Sequence, residues 1–323
     1  MINCASAAKL VMVGEEATRG DGIGDPCALV IGNFDGVHLG HQAVLREAVA
    51  EARNGRLSPC ALTFEPHPSS VVGSGAPPML TTLERRAELM GALGIERLYV
   101  RKFDEAFAAW TAERFAEELV AGRLQARSVV VGRNFRFGAR RRGDLALLDA
   151  LGAKLGFKVR VHDIARDALG QFSSSRARDA IAGGNLDEIA RVLGRPHSLS
   201  GTVVRGDERG RTLNFPTANL GGVPEILPPD GVYAVKVDIL GNGDGCYRPL
   251  GQGVTNIGMR PTFAAKERTV ETFLLDFSGD LYKERIRLHL LHRLREEKTF
   301  PSLNELKDQI ARDVADARAR LGE

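Results

Sequence analysis

The 323-residue chain lacks the features that mark several classes of protein. No apolar run approaches the ~20 residues that span a bilayer, so no membrane helix is predicted. The four cysteines are scattered without a CxxC pair, which favours reduced thiols over a zinc site or a disulfide framework. The formal net charge is only +3, too small to indicate a nucleic-acid surface, and no secretory signal is evident. These absences predict a cytoplasmic protein with no membrane and no nucleic-acid partner.

What is present is the composition of an ordinary globular protein, with 43% hydrophobic and 26% charged residues. The length suggests two domains of about 150 residues each. Strand and helix patterns alternate in the first half, which predicts an α/β domain with a parallel sheet. After Pro196, short β-rich runs and turns predict an antiparallel barrel or sandwich. Glycines at 183–184 and 194 indicate the boundary, so we expect domains at 1–187 and 188–323.

A buried strand followed by a glycine-rich turn dominates the first half. The strand is the apolar run 28–31, and Gly32, Gly36 and Gly40 follow at spacings of four. Glycine permits tight turns and lets a ligand approach the backbone closely. An amphipathic helix is predicted over 42–50, and a helix N-terminus after such a turn attracts phosphate. The unit therefore predicts a phosphate-binding site.

Two histidines, His38 and His41, lie three residues apart at the start of this helix. Both can face one anion, although two structural histidines beside a flexible turn would show the same spacing. The turn matches neither the Walker spacing nor GxGxxG, which excludes a P-loop and a dinucleotide fingerprint. The local pattern leaves the nucleotide open.

Two more polar segments follow predicted strands of the first half. The loop 132–144 offers the amide of Asn134, the ring of Phe135 and several arginines. The segment 172–178 supplies serines and arginines before a helix predicted over 179–181, where hydroxyls cap helices and arginines bind phosphate. Packing roles for the rings and a solvated face for the arginines remain open alternatives.

The second half carries polar residues on two predicted strands. Thr217 and Asn219 follow the glycine- and arginine-rich loop 206–211, and residues two apart on an extended segment point to the same side. Their oxygens can hold Mg²⁺, and amides of the loop can bind phosphate. On the strand 269–277, Glu271 pointing into the mouth of a barrel can accept a proton from a substrate hydroxyl. A polar turn and a surface glutamate are the alternatives.

Together and in this order, the motifs resemble the bacterial bifunctional riboflavin kinase/FMN adenylyltransferase family. The matching strings are GNFDGVHLGH at 32–41, GRNFRFGARRRGD at 132–144, FSSSRAR at 172–178, GDERGRTLNFPTAN at 206–219 and RTVETFLLDF at 268–277. The resemblance implies a Rossmann-like nucleotidyltransferase domain with a parallel sheet. It also implies a C-terminal antiparallel β-barrel riboflavin kinase domain with a terminal helix.

The resemblance also implies the chemistry and the residues. Riboflavin would be phosphorylated by ATP to FMN, and FMN adenylylated to FAD, with Mg²⁺ as cofactor and a monomer or weak homo-oligomer as the assembly. The implied catalytic residues are His38, His41 and Glu271. The implied ATP-binding residues are Gly32, Phe34, Gly36, His38, His41, Ser174, Ser175, Arg178, Gly206 and Arg211. Asn134, Phe135 and Glu271 would bind flavin, and Thr217 and Asn219 would hold the metal.

Four positions depart from the family pattern. Ser175 stands where threonine is usual, Ala177 replaces a larger aliphatic residue, Asn214 replaces a glycine, and Phe273 replaces a histidine. Two other functions stay open from the sequence. One is an adenylyltransferase acting on nicotinate mononucleotide or a similar small acceptor. The other is an RNA-binding or regulatory protein with a degenerate nucleotidyltransferase domain.

Overall fold

The computed structural model describes residues 7–13, 25–73, 75–206, 215–241, 245–261 and 266–322. The contacts divide the chain into two compact units, an N-terminal unit, Met1–Ser174, and a C-terminal unit, Ser175–Glu323. The boundary expected at 187/188 stays a prediction. Within the described ranges, no helix has both the length and the apolar character needed to cross a membrane.

A parallel sheet forms the centre of the N-terminal unit. Its six described strands are β1 (Lys9–Val13), β2 (Cys27–Ile31), β3 (Ser58–Glu65), β4 (Arg97–Lys102), β5 (Ala126–Gly132) and β6 (Lys158–His162). They lie in the order β1-β4-β3-β2-β5-β6, and every neighbouring pair is parallel. All five residues of β2 are buried, which explains its uninterrupted apolar run. The prediction of a parallel α/β domain is confirmed.

The order of the strands reverses at β2. From β2 the chain builds outward through β3 and β4 on one side, and later through β5 and β6 on the other. Open α/β sheets bind ligands at the carboxyl ends of strands at such a reversal. The register pairs Val30 with Val130, so Gly32 and Gly132 end adjacent strands at the same level. The two glycine-bounded loops therefore share one edge of the sheet.

Helices cover the sheet and connect its strands. They are α1 (Leu39–Gly55), α2 (Pro68–Val72), α3 (Leu83–Gly91), α4 (Glu105–Ala108), α5 (Ala112–Arg114) with a π-helical continuation (Phe115–Arg123), and α6 (Leu145–Leu155). A 3₁₀ turn spans Ala139–Arg141, and a small hairpin joins β7 (Arg166–Asp167) to β8 (Gly170–Gln171). Thr82, Asp104, Thr111 and Asp144 cap helix starts with their side chains, as short polar residues do.

The C-terminal unit is built on a closed antiparallel barrel. Its described strands are β9 (Ser198–Val204), β10 (Thr217–Gly221), β11 (Gly231–Leu240), β12 (Tyr247–Pro261), β13 (Lys266–Leu274) and β14 (Arg285–Arg295). They close in the order β10-β13-β12-β11-β14-β9. Alternate residues such as Leu220, Tyr233, Val270 and Leu288 fill the interior. The predicted β-barrel is confirmed.

Among the described residues, three helices belong to or enter the C-terminal unit: α7 (Ser174–Ala182), α8 (Leu186–Leu193) and α9 (Leu303–Leu321). The terminal helix was predicted, and α9 packs Ala317 and Val314 on the outer side of the barrel against Val232 and Val254. The helix expected over 179–181 instead begins at Ser174, so that prediction was wrong at its start.

The cysteines follow the expectation in part. Cys27 and Cys60 are free and buried. Cys246 is disulfide-bonded, which contradicts the expectation of reduced thiols at that position.

Candidate active sites

The turn after β2 adopts a backbone that few sequences tolerate. Phe34, Gly36 and Val37 have φ values of 52°, 84° and 39°. A β-branched residue in this region is a true conformational outlier and is strained. Phe34 and Val37 are both buried, so packing holds the turn in this shape. Gly32 is constrained too, because a Cβ there would lie 3.1 Å from the Phe34 ring.

Asp35 fixes this turn to the loop that precedes α3. Its buried carboxylate accepts hydrogen bonds from the backbone N–H groups of Leu80 and Thr81 at 3.0–3.1 Å. The Thr81 hydroxyl donates to Asp35 at 3.2 Å, and accepts from the Gly36 N–H at 2.9 Å. The Asp35 carboxylate thus has a structural role, and the sequence motif alone did not distinguish it from a ligand of substrate.

His38 and His41 stack on each other at the start of α1. Their ring centroids are 3.6 Å apart with an interplanar angle of 20°. His38 is the N-cap, and its Nδ1 accepts from the His41 backbone N–H at 3.2 Å. That bond places the proton of a neutral His38 on Nε2. A Cβ at Gly40 would lie 3.0 Å from the His38 ring, so a glycine is needed beside it.

The surroundings keep His41 neutral. Burial is the main cause that lowers its pKa well below the usual value, and the nearby His38 and the Arg86 guanidinium lower it further. The Phe34 ring meets His41 edge-on, with centroids 5.2 Å apart. Among the described residues, nothing hydrogen-bonds the buried His41 Nδ1. His41 is thus prepared to act as a neutral hydrogen-bond donor or acceptor.

Two side chains near this turn were not among the predicted site residues. The Asn33 amide lies 3.1 Å from His67 Nε2, in the loop that follows β3. The Asn33 carbonyl accepts from the Thr63 hydroxyl at 3.0 Å. Arg86, on α3, is buried and places its Nη2 3.8 Å from the Asp35 carboxylate. Asn33 lies within the recognised motif, whereas nothing in the local sequence around Arg86 indicated a place near this turn.

Of the serines and arginine predicted to bind phosphate, Ser174 lies at the turn. Its hydroxyl donates to the Asp35 backbone carbonyl at 2.8 Å. Arg178 follows one turn later on the same side of α7, and it is half-buried, whereas Ser175 is exposed. The site roles of Ser175 and Arg178 stay predictions.

In the loop after β5, one predicted site residue is exposed to solvent and the other packs against the core. Asn134 is exposed at the tip. Phe135 stacks on Phe137 with centroids 5.5 Å apart, and both rings pack against the core. Phe137 and Gly143 exchange two backbone hydrogen bonds that close the loop, of 3.2 and 2.9 Å. Phe135 thus has a clear packing role, and flavin contact by Asn134 or Phe135 stays a prediction.

The second candidate site is a row of polar residues across three barrel strands. In the register, Asn219 of β10 pairs with Glu271 of β13, which pairs with Asn256 of β12. Directly paired residues have Cβ atoms about 4.5–5.5 Å apart. Their neighbours Val270 and Ile257 point into the barrel interior, so the row lies on the outer face. Glu271 therefore does not point into the barrel mouth as expected.

Gly206, which follows β9, lies tightly against the side chain of Asn219. A Cβ at Gly206 would lie 2.3 Å from Asn219 Nδ2, so the amide lies directly against the glycine backbone. Thr217 pairs with Phe273 in the register and shares a face with Asn219. Phe273 meets the ring of Phe215 edge-on at 5.1 Å. Phe273, where the family has histidine, thus packs against the segment that carries Thr217. Arg211 and Asn214 lie outside the described residues.

The donor set of this row suits one kind of metal. Thr217, Asn219 and Glu271 offer a hydroxyl, an amide oxygen and a carboxylate on one face of adjacent strands. Oxygen ligands of this type fit Mg²⁺, which keeps waters and phosphate oxygens in its remaining positions. In the part of the chain that the structure describes, no three His, Cys, Asp or Glu side chains are grouped to hold a metal. A transition-metal centre is therefore not indicated there.

Comparisons with known proteins agree with the two units. A family model described as FAD synthetase matches residues 21–176, and one described as riboflavin kinase matches residues 193–321. The bifunctional riboflavin kinase/FMN adenylyltransferase of Escherichia coli K12 is 41% identical over 297 residues, covering 92% of this chain and 93% of the relative. The protein of the same name from Bacillus subtilis 168 is 37% identical over 296 residues, covering 90% of each chain.

A solved structure supports the fold. A crystal structure described as a macrolide-efflux protein from Streptococcus pneumoniae has a TM-score of 0.82 and 29% sequence identity. The match covers 96% of this chain and 98% of that one.

Proposed function

The chain belongs to the bifunctional riboflavin kinase/FMN adenylyltransferase family, and from that premise we propose which residues carry each reaction. The chain is a riboflavin kinase and an FMN adenylyltransferase: it transfers the γ-phosphoryl group of ATP to riboflavin, and joins AMP from a second ATP to FMN with release of pyrophosphate. The observation that carries the residue assignment is the presence of one built polar site in each unit.

For adenylyl transfer, we assign ATP to the turn after β2. A phosphate oxygen of FMN attacks the α-phosphorus of ATP, and the bond to the pyrophosphate oxygen breaks. His38 and the neutral His41, at the α1 N-terminus, would stabilise the charge that develops on the α-phosphate. The strained backbone at Phe34 would present its amide to the nucleotide, and Gly32 and Gly36, which lack side chains, would let the nucleotide approach the turn closely.

The remaining assignments in this unit rest on the resemblance. Ser174, Ser175 and Arg178 would bind phosphate oxygens at the start of α7, where hydroxyls and a guanidinium suit anions. Asn134 and Phe135 would contact FMN, and their support is the position of their loop beside Gly32 at the strand-order reversal.

For phosphoryl transfer, we assign the row on the outer face of the barrel. The riboflavin 5′-hydroxyl oxygen attacks the γ-phosphorus, the bond to ADP breaks, and Glu271 would take the hydroxyl proton. Thr217 and Asn219 would hold Mg²⁺, which when bound neutralises phosphate charge. Gly206 and Arg211 would bind the ATP phosphates, and the close approach of Gly206 to Asn219 supports the first of these roles.

Several coarser proposals accompany these roles. We keep the domain boundary at 187/188, which falls in the interval 177–192 that neither family model covers. Limited proteolysis with mass spectrometry checks it.

We propose a monomer or weak homo-oligomer without a nucleic-acid or membrane partner, checked by light scattering and by RNA and vesicle co-sedimentation. We propose a cytoplasmic protein, because ATP is a substrate of both reactions, and fractionation of cells checks it.

One experiment tests the function against its rivals. The protein is incubated with riboflavin, ATP and Mg²⁺, and the products are separated by chromatography. FMN and FAD are expected. Turnover of nicotinate mononucleotide without a flavin product would instead favour the other adenylyltransferase, and retention of RNA or FMN without turnover would favour a regulatory protein. Omission of Mg²⁺ should abolish both flavin products.

A further inference from the structure

The Glu297 carboxylate lies on the same outer face of the barrel as the row of Asn219, Glu271 and Asn256, but it is not part of that row. Gly258 follows Asn256 by two residues on β12, so both Cα atoms present the same face. A Cβ at Gly258 would lie 2.2 Å from Glu297 Oε1. The Glu297 carboxylate therefore occupies the space above Gly258, and only a residue without a side chain leaves that space open.

Contacts at the end of β14 fix the backbone immediately before Glu297. Arg295 forms a bidentate ion pair with the buried Asp313 of α9, with distances of 2.8–3.0 Å. The same guanidinium donates from Nη1 to the Glu296 carbonyl at 2.9 Å. This carbonyl belongs to the peptide bond between Glu296 and Glu297, so the hydrogen bond fixes the backbone where Glu297 begins. Bidentate arginine–carboxylate pairs add geometric precision to their energy.

Three side chains along this face of the barrel are available to accept hydrogen bonds. No described residue pairs with the side chains of Glu271, Asn256 or Glu297, and Glu297 is exposed. In the register, Gly258 is the diagonal neighbour of Glu271, and diagonal positions are about 7–8 Å apart. Two carboxylates with an amide beside them form acceptors that match a chain of hydroxyl donors.

We propose that Glu297 and Asn256 bind the hydroxyl groups of the ribityl chain of riboflavin that do not react. This inference rests on the proposed role of Glu271 at the 5′-hydroxyl. With that hydroxyl at Glu271, the ribityl chain runs along the face towards Gly258, and its other hydroxyls donate to Asn256 Oδ1 and the Glu297 carboxylate. Substrate binding then requires glycine at position 258, because any side chain there would displace the Glu297 carboxylate from this face.

The test measures binding apart from turnover. Riboflavin binding to the full chain, with ADP and Mg²⁺ present, is followed by quenching of flavin fluorescence for the wild type, Glu297→Gln and Gly258→Ala. Hydrogen bonds to charged groups are strong enough that each variant should raise the riboflavin Kd about tenfold or more. The same variants should bind lumiflavin, the flavin ring without a ribityl chain, as the wild type does. Glu296→Gln is the matched control and should leave both affinities unchanged.

A double-mutant cycle tests the link between the two positions. Because both single changes remove the same carboxylate from the face, Gly258→Ala combined with Glu297→Gln should cost little more than either change alone. Thermal unfolding of each variant shows whether Gly258→Ala damages the barrel, and Glu297→Gln keeps the test valid if it does. Equal riboflavin affinity in the wild type and Glu297→Gln, or an equal loss for lumiflavin, would overturn the inference. If the wild type neither bound nor phosphorylated riboflavin, the proposed function would fail instead.

Discussion

The two candidate sites are built by different means, one by loops and one by strand register. In the N-terminal unit, the turn after β2 is held in a strained backbone by buried rings and by the hydrogen bonds of Asp35. In the C-terminal unit, Asn219, Glu271 and Asn256 are aligned by the pairing of regular strands. A loop site carries its residues close together in the sequence, whereas a register site collects them from distant strands.

This difference has consequences for how each site can fail. Damage to the loop site should act through loss of the turn conformation, because several contacts support one strained segment. Damage to the row should act locally, because the barrel ladder remains when one outward side chain changes. The predictions below test this contrast and run from the largest expected effect to the smallest.

Glu271→Gln should lower FMN formation about 10²–10⁴-fold, the usual contribution of a positioned general base. FAD formation from supplied FMN should remain, because the residue lies in the other unit. The initial rates of both reactions measure this effect. Glu296→Gln serves as the control, and unchanged kinase turnover in Glu271→Gln would remove that residue from the mechanism.

His41→Ala should lower FAD formation about 10²–10³-fold, on the scale of losing one preorganised donor. FMN formation should be unchanged. Asp149→Ala, at an exposed position on α6, offers a control in the same unit and should leave FAD formation unchanged. An equal loss of both activities in His41→Ala would contradict the assignment of two separate sites.

Asp35→Ala should destabilise the N-terminal unit by about 2–4 kcal/mol, because it leaves the buried N–H groups of Leu80 and Thr81 without an acceptor. Hydrogen exchange of the β2 and β3 amides measures the loss, and FAD formation should fall with it. Asp149→Ala, at an exposed position on α6, should change stability by less than about 0.5 kcal/mol. Normal exchange protection in Asp35→Ala would show that the turn does not depend on this carboxylate.

The pH dependence of stability should show a smaller effect. Since the pKa of His41 in the folded chain lies well below that of an unfolded histidine, only the unfolded state gains this proton as the pH falls through the unfolded value. Stability should therefore decrease from pH 7.5 to pH 5.5, by about 1 kcal/mol from this group. His41→Gln should flatten the decrease in denaturant unfolding curves. An identical slope in both proteins would mean that His41 titrates normally when folded.

The sequence supported the fold at the level of elements. The apolar run at β2 and the amphipathic pattern over 42–50 correctly predicted a buried strand and a helix, because burial of one face produces a periodic pattern in the sequence. The start of α7 was misjudged because three serines favour a cap, yet the helix already includes Ser174 and Ser175. The π-helical segment had no local signal either.

The candidate sites were predictable to different degrees. The stretch from Gly32 to His41 is local, so its residues were found together, while the contact of Ser174 with the Asp35 carbonyl required the fold. Glu271 was identified, but its direction was not, because alternation along one strand shows two faces without saying which lies inside. Asn256 and Glu297 were not singled out, because neither lies near Glu271 in the sequence.

The amino-acid sequence by itself determined the alternation of buried and exposed positions, the places where glycine permits a turn, and the order of the functional motifs. These depend on backbone preferences and burial over a few residues. Only the tertiary structure decided that β2 lies at the reversal of the sheet, that the outer face of the barrel carries the row of Asn219, Glu271 and Asn256, and that Gly258 leaves room for Glu297. Those outcomes depend on pairing and packing between segments far apart in the chain, and no short stretch encodes them alone.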